Sequence, residues 1–217
     1  RKGNFTMQAE VLSVGTELLL GQTVNTDTTI VAKALSALGI DLLYAAVVGD
    51  NVGRLEKAVY DALDRSDILI TTGGLGPTGD DLTKETVAAA AGKKLVLHEQ
   101  SYQHLLDYFA NGGMTENQMK QAMLPEGCTA LKNDNGTAPG CAFRTDKGKI
   151  VIMLPGPPLE CEPLLRYRVR PLLAARGDGI IVSHSVKIFG IGEGTMEYQL
   201  RDLMNEMRNP TLAPYAK

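Results

Sequence analysis

The residues best suited to chemistry lie together in one glycine-rich stretch, 71–81, which reads TTGGLGPTGDD. A short apolar run precedes it, and an alanine-rich segment with high helix propensity follows it and ends at Gly92. Glycines let a backbone approach a ligand closely, and free amides at a helix N-terminus attract anions such as phosphate. Asp80 and Asp81 place two negative charges at that same point, so a phosphate bound there requires a cation between the charges.

A divalent cation removes this conflict, because Mg²⁺ takes oxygen ligands from one or two carboxylates, water and substrate phosphate. Such an ion can also polarise a phosphoryl group for hydrolysis. Aspartate is a favoured helix cap, so one of the two aspartates is expected to do no more than that. We predict Asp80 and Asp81 as catalytic carboxylates and Asp81 as a metal ligand. Glu17 and Asp50 are the other predicted ligands, although each is equally well explained as a solvated residue at a strand end.

The elements that must position these residues alternate between strand and helix. Strands are predicted over 10–15, 42–48 and 68–72, with helices over 25–38 and 55–63 between them. This alternation predicts an α/β fold of three layers, a mostly parallel sheet with helices on both faces. Ligands bind at the carboxyl ends of such strands, where Glu17, Asp50 and the glycine-rich stretch all follow a predicted strand.

The rest of the chain is less regular. Helices are predicted over 102–109, 115–123 and 160–175, and a strand over 149–154 runs directly into the proline-rich segment 155–158. Beyond a glycine linker at 177–179, a strand over 180–189 and a helix over 195–207 are predicted to begin a second domain. We therefore predict residues 1–6 to precede a native start at Met7, a first domain over 7–176 and a truncated second domain over 177–217.

Bulk composition excludes several classes of protein. The net charge is −3 and no basic tract is present, which argues against binding to the backbone of nucleic acid. No apolar run is long enough to span a membrane. The three cysteines form no CxxC pair, so neither a zinc site nor a disulfide framework is indicated, and a reduced, cytoplasmic protein is expected.

Two other phosphate-binding motifs can be compared with the glycine-rich stretch. Residues 74–79 match GxGxxG, and Glu99 lies about 20 residues further on, as a dinucleotide-binding fingerprint requires. That fingerprint belongs to the first strand–helix turn of its unit, however, and here the match lies on the third. A Walker A motif is excluded because no Gly-Lys-Ser/Thr follows.

The order of the motifs resembles the competence/damage-inducible CinA family, and the similarity covers Met7 to Lys217. The segments that carry the resemblance are SVGTE (13–17), GQTVNT (21–26), GGLGPTGDDLT (73–83), NQMKQA (117–122), GTAPG (136–140), LPGPP (154–158), FGIGE (189–193) and NPTLAPYAK (209–217). The chain departs from the family pattern at Asp27, where asparagine is common, and at Gly79, where a larger residue is common. Leu75 separates it from the related cofactor-synthesis proteins, which have threonine there.

The resemblance implies a molybdopterin-binding fold for the first domain and the start of a KH-like domain after it. It also implies an ADP-ribose pyrophosphatase that requires Mg²⁺, Mn²⁺ or Co²⁺, yields AMP and ribose 5-phosphate, and acts as a homodimer. Family members often carry a nicotinamide-mononucleotide amidohydrolase domain, of which this sequence contains nothing. The alternatives are a molybdopterin-binding or molybdopterin adenylyltransferase protein and a non-catalytic nucleotide-binding module.

In the related folds, the loops that carry these motifs gather around one pocket. The predicted phosphate- and substrate-binding residues are Ser13, Gly15, Asn25, Gly73, Gly74, Gly76, Thr78, Thr83, Gly136, Thr137, Pro139, Gly140, Pro155, Gly156 and Pro157.

Overall fold

The structure is a computed structural model that describes residues 7–174, 184–208 and 210–214. The chain divides into two compact units, Arg1–Ile181 and Val182–Lys217. The predicted leading residues 1–6, the predicted boundary at 176 and the predicted linker 177–179 lie outside the described residues.

The described residues of the first unit contain eight strands. They are β1 (Gln8–Val14), β2 (Asp41–Val48), β3 (Ile68–Thr72), β4 (Leu95–Leu97), β5 (Met123–Pro125), β6 (Thr129–Leu131), β7 (Gly140–Arg144) and β8 (Ile150–Leu154). Six of them form one sheet in the order β2-β1-β3-β8-β7-β6. Strands β2, β1, β3 and β8 are parallel, β7 pairs antiparallel with β8, and β6 pairs antiparallel with β7. The short strands β4 and β5 pair separately.

Helices connect the strands and continue into the second unit. They are α1 (Thr16–Leu19), α2 (Asp27–Ser36), α3 (Val52–Arg65), α4 (Thr83–Ala90), α5 (Glu99–Tyr108), α6 (Glu116–Met119), a 3₁₀ turn (Lys120–Ala122), α7 (Pro158–Leu164), a π-helical turn (Leu165–Val169), α8 (Arg170–Ala174) and, in the second unit, α9 (Glu193–Glu206).

The two faces of the sheet bury two separate hydrophobic clusters. On one face, Val31 of α2 and Leu164 of α7 pack against strand residues such as Val11. On the other, Leu55 of α3 and Val87 of α4 pack against residues that include Leu12. Every residue of β3 and β8 is buried, as expected for strands covered on both faces. The predicted class, a mostly parallel α/β sheet with helices on both faces, is confirmed.

Some predicted elements are wrong in detail. Residues 184–189 are not a strand, and residues 180–183 of that prediction lie outside the described part of the chain. The helix predicted over 115–123 ends at Met119, because a 3₁₀ turn and then β5 follow it. The strands β4 to β7 were not predicted, since β4, β5 and β6 have three residues each and show no clear alternation.

Among the described residues, no helix combines the length and the apolar character that crossing a membrane requires.

Candidate functional site

A cavity of about 540 Å³ opens where the connections leave the carboxyl ends of the parallel strands. Its lining comes from the segments that follow β1, β2, β3 and β8, together with Gln121 and the loop that carries Thr137 and Ala138. This position is the one that the topology predicts, because the connections at one edge of a parallel sheet converge there.

Twelve of the predicted site residues line this cavity, and seven do not. Those that line it are Glu17, Asn25, Asp50, Gly73, Gly74, Gly76, Asp80, Asp81, Thr137, Pro155, Gly156 and Pro157. Those outside its lining are Ser13, Gly15, Thr78, Thr83, Gly136, Pro139 and Gly140.

The residues outside the lining mostly support its wall. Ser13 is buried in β1, where its hydroxyl accepts a hydrogen bond from Thr72 Oγ1 at 3.2 Å. Gly15 donates its amide to Val48 at 2.9 Å, which ties the end of β1 to β2. Thr83 is buried beneath Gly74, so close that a Cβ on Gly74 would collide with its hydroxyl.

Three further predicted residues belong to the loop after β6 and to β7. A Cβ on Gly136 would collide with the carboxylate of Glu160, and a Cβ on Gly140 would lie 2.8 Å from the carbonyl oxygen of Met153. Pro139 lines a neighbouring cavity of about 120 Å³. These residues therefore allow close packing behind the main cavity and do not reach into it.

The floor of the cavity depends on glycines that follow two strands, β3 and β8, where they meet the end of β1. Gly73 has a φ of +91°, and a Cβ there would collide with the carbonyl oxygen of Val14. Its amide donates to Leu154 at 3.0 Å, and a Cβ on Gly156 would lie 3.2 Å from the Gly73 Cα. The ends of β1, β3 and β8 thus approach so closely that side chains do not fit between them.

Thr78 organises the two aspartates of the glycine-rich stretch. Its amide donates to Asp81 Oδ2 at 2.9 Å, and its single hydroxyl proton is shared between Asp81 Oδ2, at 2.6 Å, and Asp80. The hydrogen bond from Thr78 lowers the pKa of Asp80, which is therefore ionised at neutral pH. The expectation that one aspartate caps the next helix is wrong, because the N-cap position of α4 is Leu82 and no side chain caps it.

Two lysines hold this stretch in place. Lys84 is only 3% exposed, and its Nζ donates to the carbonyl oxygen of Lys120 at 2.7 Å. Lys120 in turn donates from Nζ to the carbonyl oxygens of Asp81 at 2.6 Å and Thr78 at 3.3 Å. Burial lowers the pKa of Lys84 to about 8. Sequence reasoning missed both lysines, although Lys120 lies inside the NQMKQA motif.

Glu17 and Asp50 contribute two more carboxylates to the lining. Asp50 Oδ2 accepts from the Thr16 amide at 2.8 Å, and the Asp50 amide donates to Thr16 Oγ1 at 3.0 Å, so the local fold fixes this side chain. Glu17 is exposed in the short helix α1.

These residues fit a divalent cation in part. Across the described ranges, no three or more His, Cys, Asp or Glu side chains are grouped so that they could hold a metal ion. The predicted set of Glu17, Asp50 and Asp81 is therefore not assembled as a cage. Asp81 nevertheless engages only one carboxylate oxygen with Thr78, and its other oxygen accepts no hydrogen bond from the residues that the structure describes. One or two carboxylates with substrate phosphate and water are the ligands that Mg²⁺ commonly uses.

Two carboxyl groups of the lining were not predicted as site residues. Asp27 is 8% exposed, and its Oδ1 has no hydrogen-bond partner among the described residues. Glu160 accepts a hydrogen bond from Asn133 Nδ2 at 2.5 Å. Burial raises the pKa of both carboxyl groups. The available signals were the departure from the family pattern at Asp27 and the position of Glu160 two residues after the LPGPP motif.

Two amide side chains of the lining differ in how fully they are paired. Asn25 uses its side chain at the start of α2, where Oδ1 accepts from the Thr28 amide at 3.2 Å and Nδ2 donates to Thr28 Oγ1 at 3.1 Å. Gln121 is 2% exposed, lines the cavity, and has an Oε1 without a partner among the described residues. A buried acceptor of this kind is available to a ligand.

The charge of the lining is one-sided. Within the described residues, six of the lining side chains are acidic and none is Lys, Arg or His; the acids are Glu17, Asp27, Asp50, Asp80, Asp81 and Glu160. An anionic ligand in this cavity is repelled unless a cation compensates the charge.

Comparison with known proteins agrees with the fold and with the motifs. Residues 10–175 match the family described as "Probable molybdopterin binding domain", and residues 183–217 match the "Damage-inducible protein CinA KH domain". A CinA-like protein of Desulfovibrio desulfuricans is 54% identical over 210 residues, which are 97% of this chain and 49% of that protein. The chain spans about half the length of the curated relatives it matches.

Two solved structures show the same fold. The crystal structure of a CinA protein of unknown function from Thermoplasma acidophilum has a TM-score of 0.72 and 35% identity, covering 77% of this chain and 98% of that one. The molybdopterin biosynthesis enzyme MoaB from Thermus thermophilus has a TM-score of 0.51 and 17% identity, covering 79% of this chain and 99% of that one. The predicted resemblance and the molybdopterin-binding fold are confirmed.

Proposed function

The chain belongs to the CinA family, and from this premise we propose that its cavity hydrolyses ADP-ribose to AMP and ribose 5-phosphate with the help of a divalent cation. The observation that carries the proposal is a glycine-built floor beside six acids, without a basic side chain among the described lining residues. A cavity of about 540 Å³ is also within the size range of nucleotide sites.

The chain's own residues have distinct tasks in this proposal. The bare backbone at Gly73 and Gly74 lets a phosphate approach the strand ends closely. Asp81, which Thr78 and Lys120 hold in position, would bind the cation with help from Asp80, Glu17 or Asp50. Mg²⁺, Mn²⁺ or Co²⁺ bound there supplies charge compensation and polarises the phosphoryl group. The loops at Thr137 and Pro155 enclose the rest of the substrate and limit access of water.

Turnover of ADP-ribose with each of the three metals, followed by chromatography of AMP, tests the proposal. We expect Asp81→Ala to lower the rate at least about a hundredfold, because it removes the metal ligand. Asp146→Ala changes an exposed aspartate in the turn between β7 and β8 and serves as the matched control. Turnover by Asp81→Ala at the parent rate would show that Asp81 does not have this role.

A second candidate function is binding or adenylylation of molybdopterin. It is favoured by the description of the family that matches residues 10–175. In this case the protein, given ATP and molybdopterin, would transfer adenylate from ATP to the phosphate of molybdopterin, release pyrophosphate and leave ADP-ribose intact.

The remaining alternative is a nucleotide-binding module without activity, for which saturable binding of ADP-ribose without any product would be the result. We further propose a homodimer, in line with the family resemblance, and light scattering of the purified protein measures it.

A further inference from the structure

Four of the six acids of the cavity fall into two pairs that belong to opposite faces of the sheet. Asp80 and Asp81 precede α4, which packs on one face together with α3. Asp27 is the first residue of α2 and Glu160 lies in the first turn of α7, and these two helices pack together on the other face. The cavity therefore reaches across the edge of the sheet and has two ends of different composition.

The end at Glu160 is built around its carboxylate. Asn133 is 2% exposed and donates from Nδ2 to Glu160 at 2.5 Å and to the Ala138 carbonyl oxygen at 2.9 Å. Its Oδ1 accepts from the Asn135 amide at 3.0 Å, so the Asn133 side chain is fixed on all sides. Gly136 leaves space for the Glu160 carboxylate that a Cβ would occupy. One oxygen of Glu160 is thus held by the loop, and the other accepts no hydrogen bond from the described residues.

Asp27 supplies a second, independent indication of a ligand at this end. It lines the cavity, is 8% exposed, and its Oδ1 has no hydrogen-bond partner in the described part of the chain. A buried polar atom without a partner costs about 1–3 kcal/mol, a cost that a ligand hydroxyl can offset. Burial raises the pKa of Asp27 and of Glu160, because desolvation disfavours the charged form, and a hydroxyl donor that pairs with such a carboxylate offsets part of that cost.

We propose that Asp27 and Glu160 form a subsite for the adjacent hydroxyls of a ribose, with Glu160 as the residue that selects ribose over deoxyribose. This inference rests on the proposed function, because it assigns the sugar of the substrate to one end of the cavity and its diphosphate to the other. Neighbouring hydroxyls donate to a carboxyl group, whereas a phosphate is repelled by it. A site built to bind a hydroxyl rejects an analogue that lacks it, because its own polar atoms then stay unpaired.

The two riboses of ADP-ribose share this chemistry, and paired probes separate them. Calorimetry in the presence of Mg²⁺ compares AMP with 2′-deoxy-AMP, and ribose 5-phosphate with 2-deoxyribose 5-phosphate. We expect the parent protein to bind the ribose form at least about tenfold more tightly in one pair, which identifies the ribose that is read.

Variants of Glu160 then test the assignment. Glu160→Gln keeps an oxygen for Asn133 and replaces the other acceptor with an amide donor, so the preference should fall to about threefold or less. Glu160→Ala should abolish it. Glu162→Gln, an exposed glutamate two residues further along α7, should keep the full preference. Thermal denaturation verifies folding, and if Glu160→Ala does not fold, Glu160→Gln alone decides.

Three results would overturn the inference: no binding of any of the four probes, equal binding within both pairs, or an unchanged preference in the folded Glu160 variants. Turnover of ADP-ribose is measured separately on the same parent protein. Turnover without a hydroxyl preference contradicts this inference and leaves the proposed function standing. A preference for the ribose form without turnover contradicts the proposed function and leaves the hydroxyl subsite standing.

Discussion

Asp80 and Glu160 line the same cavity, yet their surroundings move their acidities in opposite directions. Asp80 is exposed and receives a hydrogen bond from Thr78, which lowers its pKa. Glu160 lies partly buried at the start of α7, where desolvation raises its pKa although Asn133 donates to it. One end of the cavity therefore holds an exposed carboxylate that a hydrogen bond stabilises, and the other holds carboxyl groups that burial partly desolvates.

The difference shows that the local structure, and not the residue type, decides what each carboxyl group can bind. A charged carboxylate beside glycine backbone suits a cation together with a phosphate. A desolvated carboxyl group with a fixed neighbour suits hydroxyl groups. The six acids of the lining together determine the charge of the cavity. Their separate environments determine which part of a ligand binds at which end.

The largest effect on stability is expected at Gly73, in the floor between the two ends of the cavity. Gly73→Ala adds a Cβ that collides with the Val14 carbonyl oxygen, at a φ of +91° that alanine tolerates poorly. We expect the free energy of unfolding to fall by about 4 kcal/mol, from backbone strain and overpacking together. Urea denaturation measures this change.

Gly79→Ala is the matched control in the same loop. No atom lies within 4 Å of a Cβ at Gly79, so its effect should stay within about 0.5 kcal/mol. Equal stability of the two variants would mean that the strand ends do not meet as described.

The next largest effect is the pH dependence of the free energy of unfolding that Lys84 causes at the end of the cavity near Asp81. Burial lowers the pKa of Lys84 from 10.5 to about 8, so between these pH values the unfolded chain binds more protons than the folded one. The free energy of unfolding of the parent should therefore rise with pH in this window by up to about 3 kcal/mol relative to Lys84→Met. Denaturation at about pH 7.5, 9 and 10.5, which brackets this window, measures the difference.

Lys147→Met removes a lysine from an exposed turn and should follow the parent at every pH. If Lys84→Met also follows the parent, the Lys84 side chain is not desolvated as the structure describes.

The smallest effect on stability is expected from Asp27, at the buried end of the cavity. Folding raises the pKa of Asp27 above the value of 3.8 that it has in the unfolded chain. The contribution of Asp27 to the free energy of unfolding is therefore most favourable below pH 3.8, and it is lost as the pH rises through the pKa of the folded state. Asp27→Asn should therefore be more stable than the parent by about 1 kcal/mol at about pH 7, with a smaller difference at about pH 4.

Denaturation at both pH values measures this, with Asp64→Asn on the exposed side of α3 as the control. A variant that is less stable than the parent at neutral pH would show that Asp27 is already well satisfied without a ligand.

The sequence predicts one end of the cavity better than the other for a physical reason. Ile68 to Thr72 form a continuous buried strand, and the glycines and aspartates after it are adjacent in the chain, so local patterns locate that end. Asp27 and Glu160 are 133 positions apart and meet the same cavity only because α2 and α7 pack on one face. The antiparallel strands β6 and β7 also escaped prediction, because their pairing brings together residues with weak local signals.

The meeting of three strand ends at Gly73 also limits how this site can change during evolution. A side chain added at Gly73 collides with the carbonyl oxygen of Val14, and one added at Gly156 lies 3.2 Å from the Gly73 Cα. Point substitutions there damage the fold before they alter ligand preference. We therefore expect changes of ligand preference to arise in the walls, at positions such as Asp27, Thr137 and Glu160, which line the cavity outside the strands.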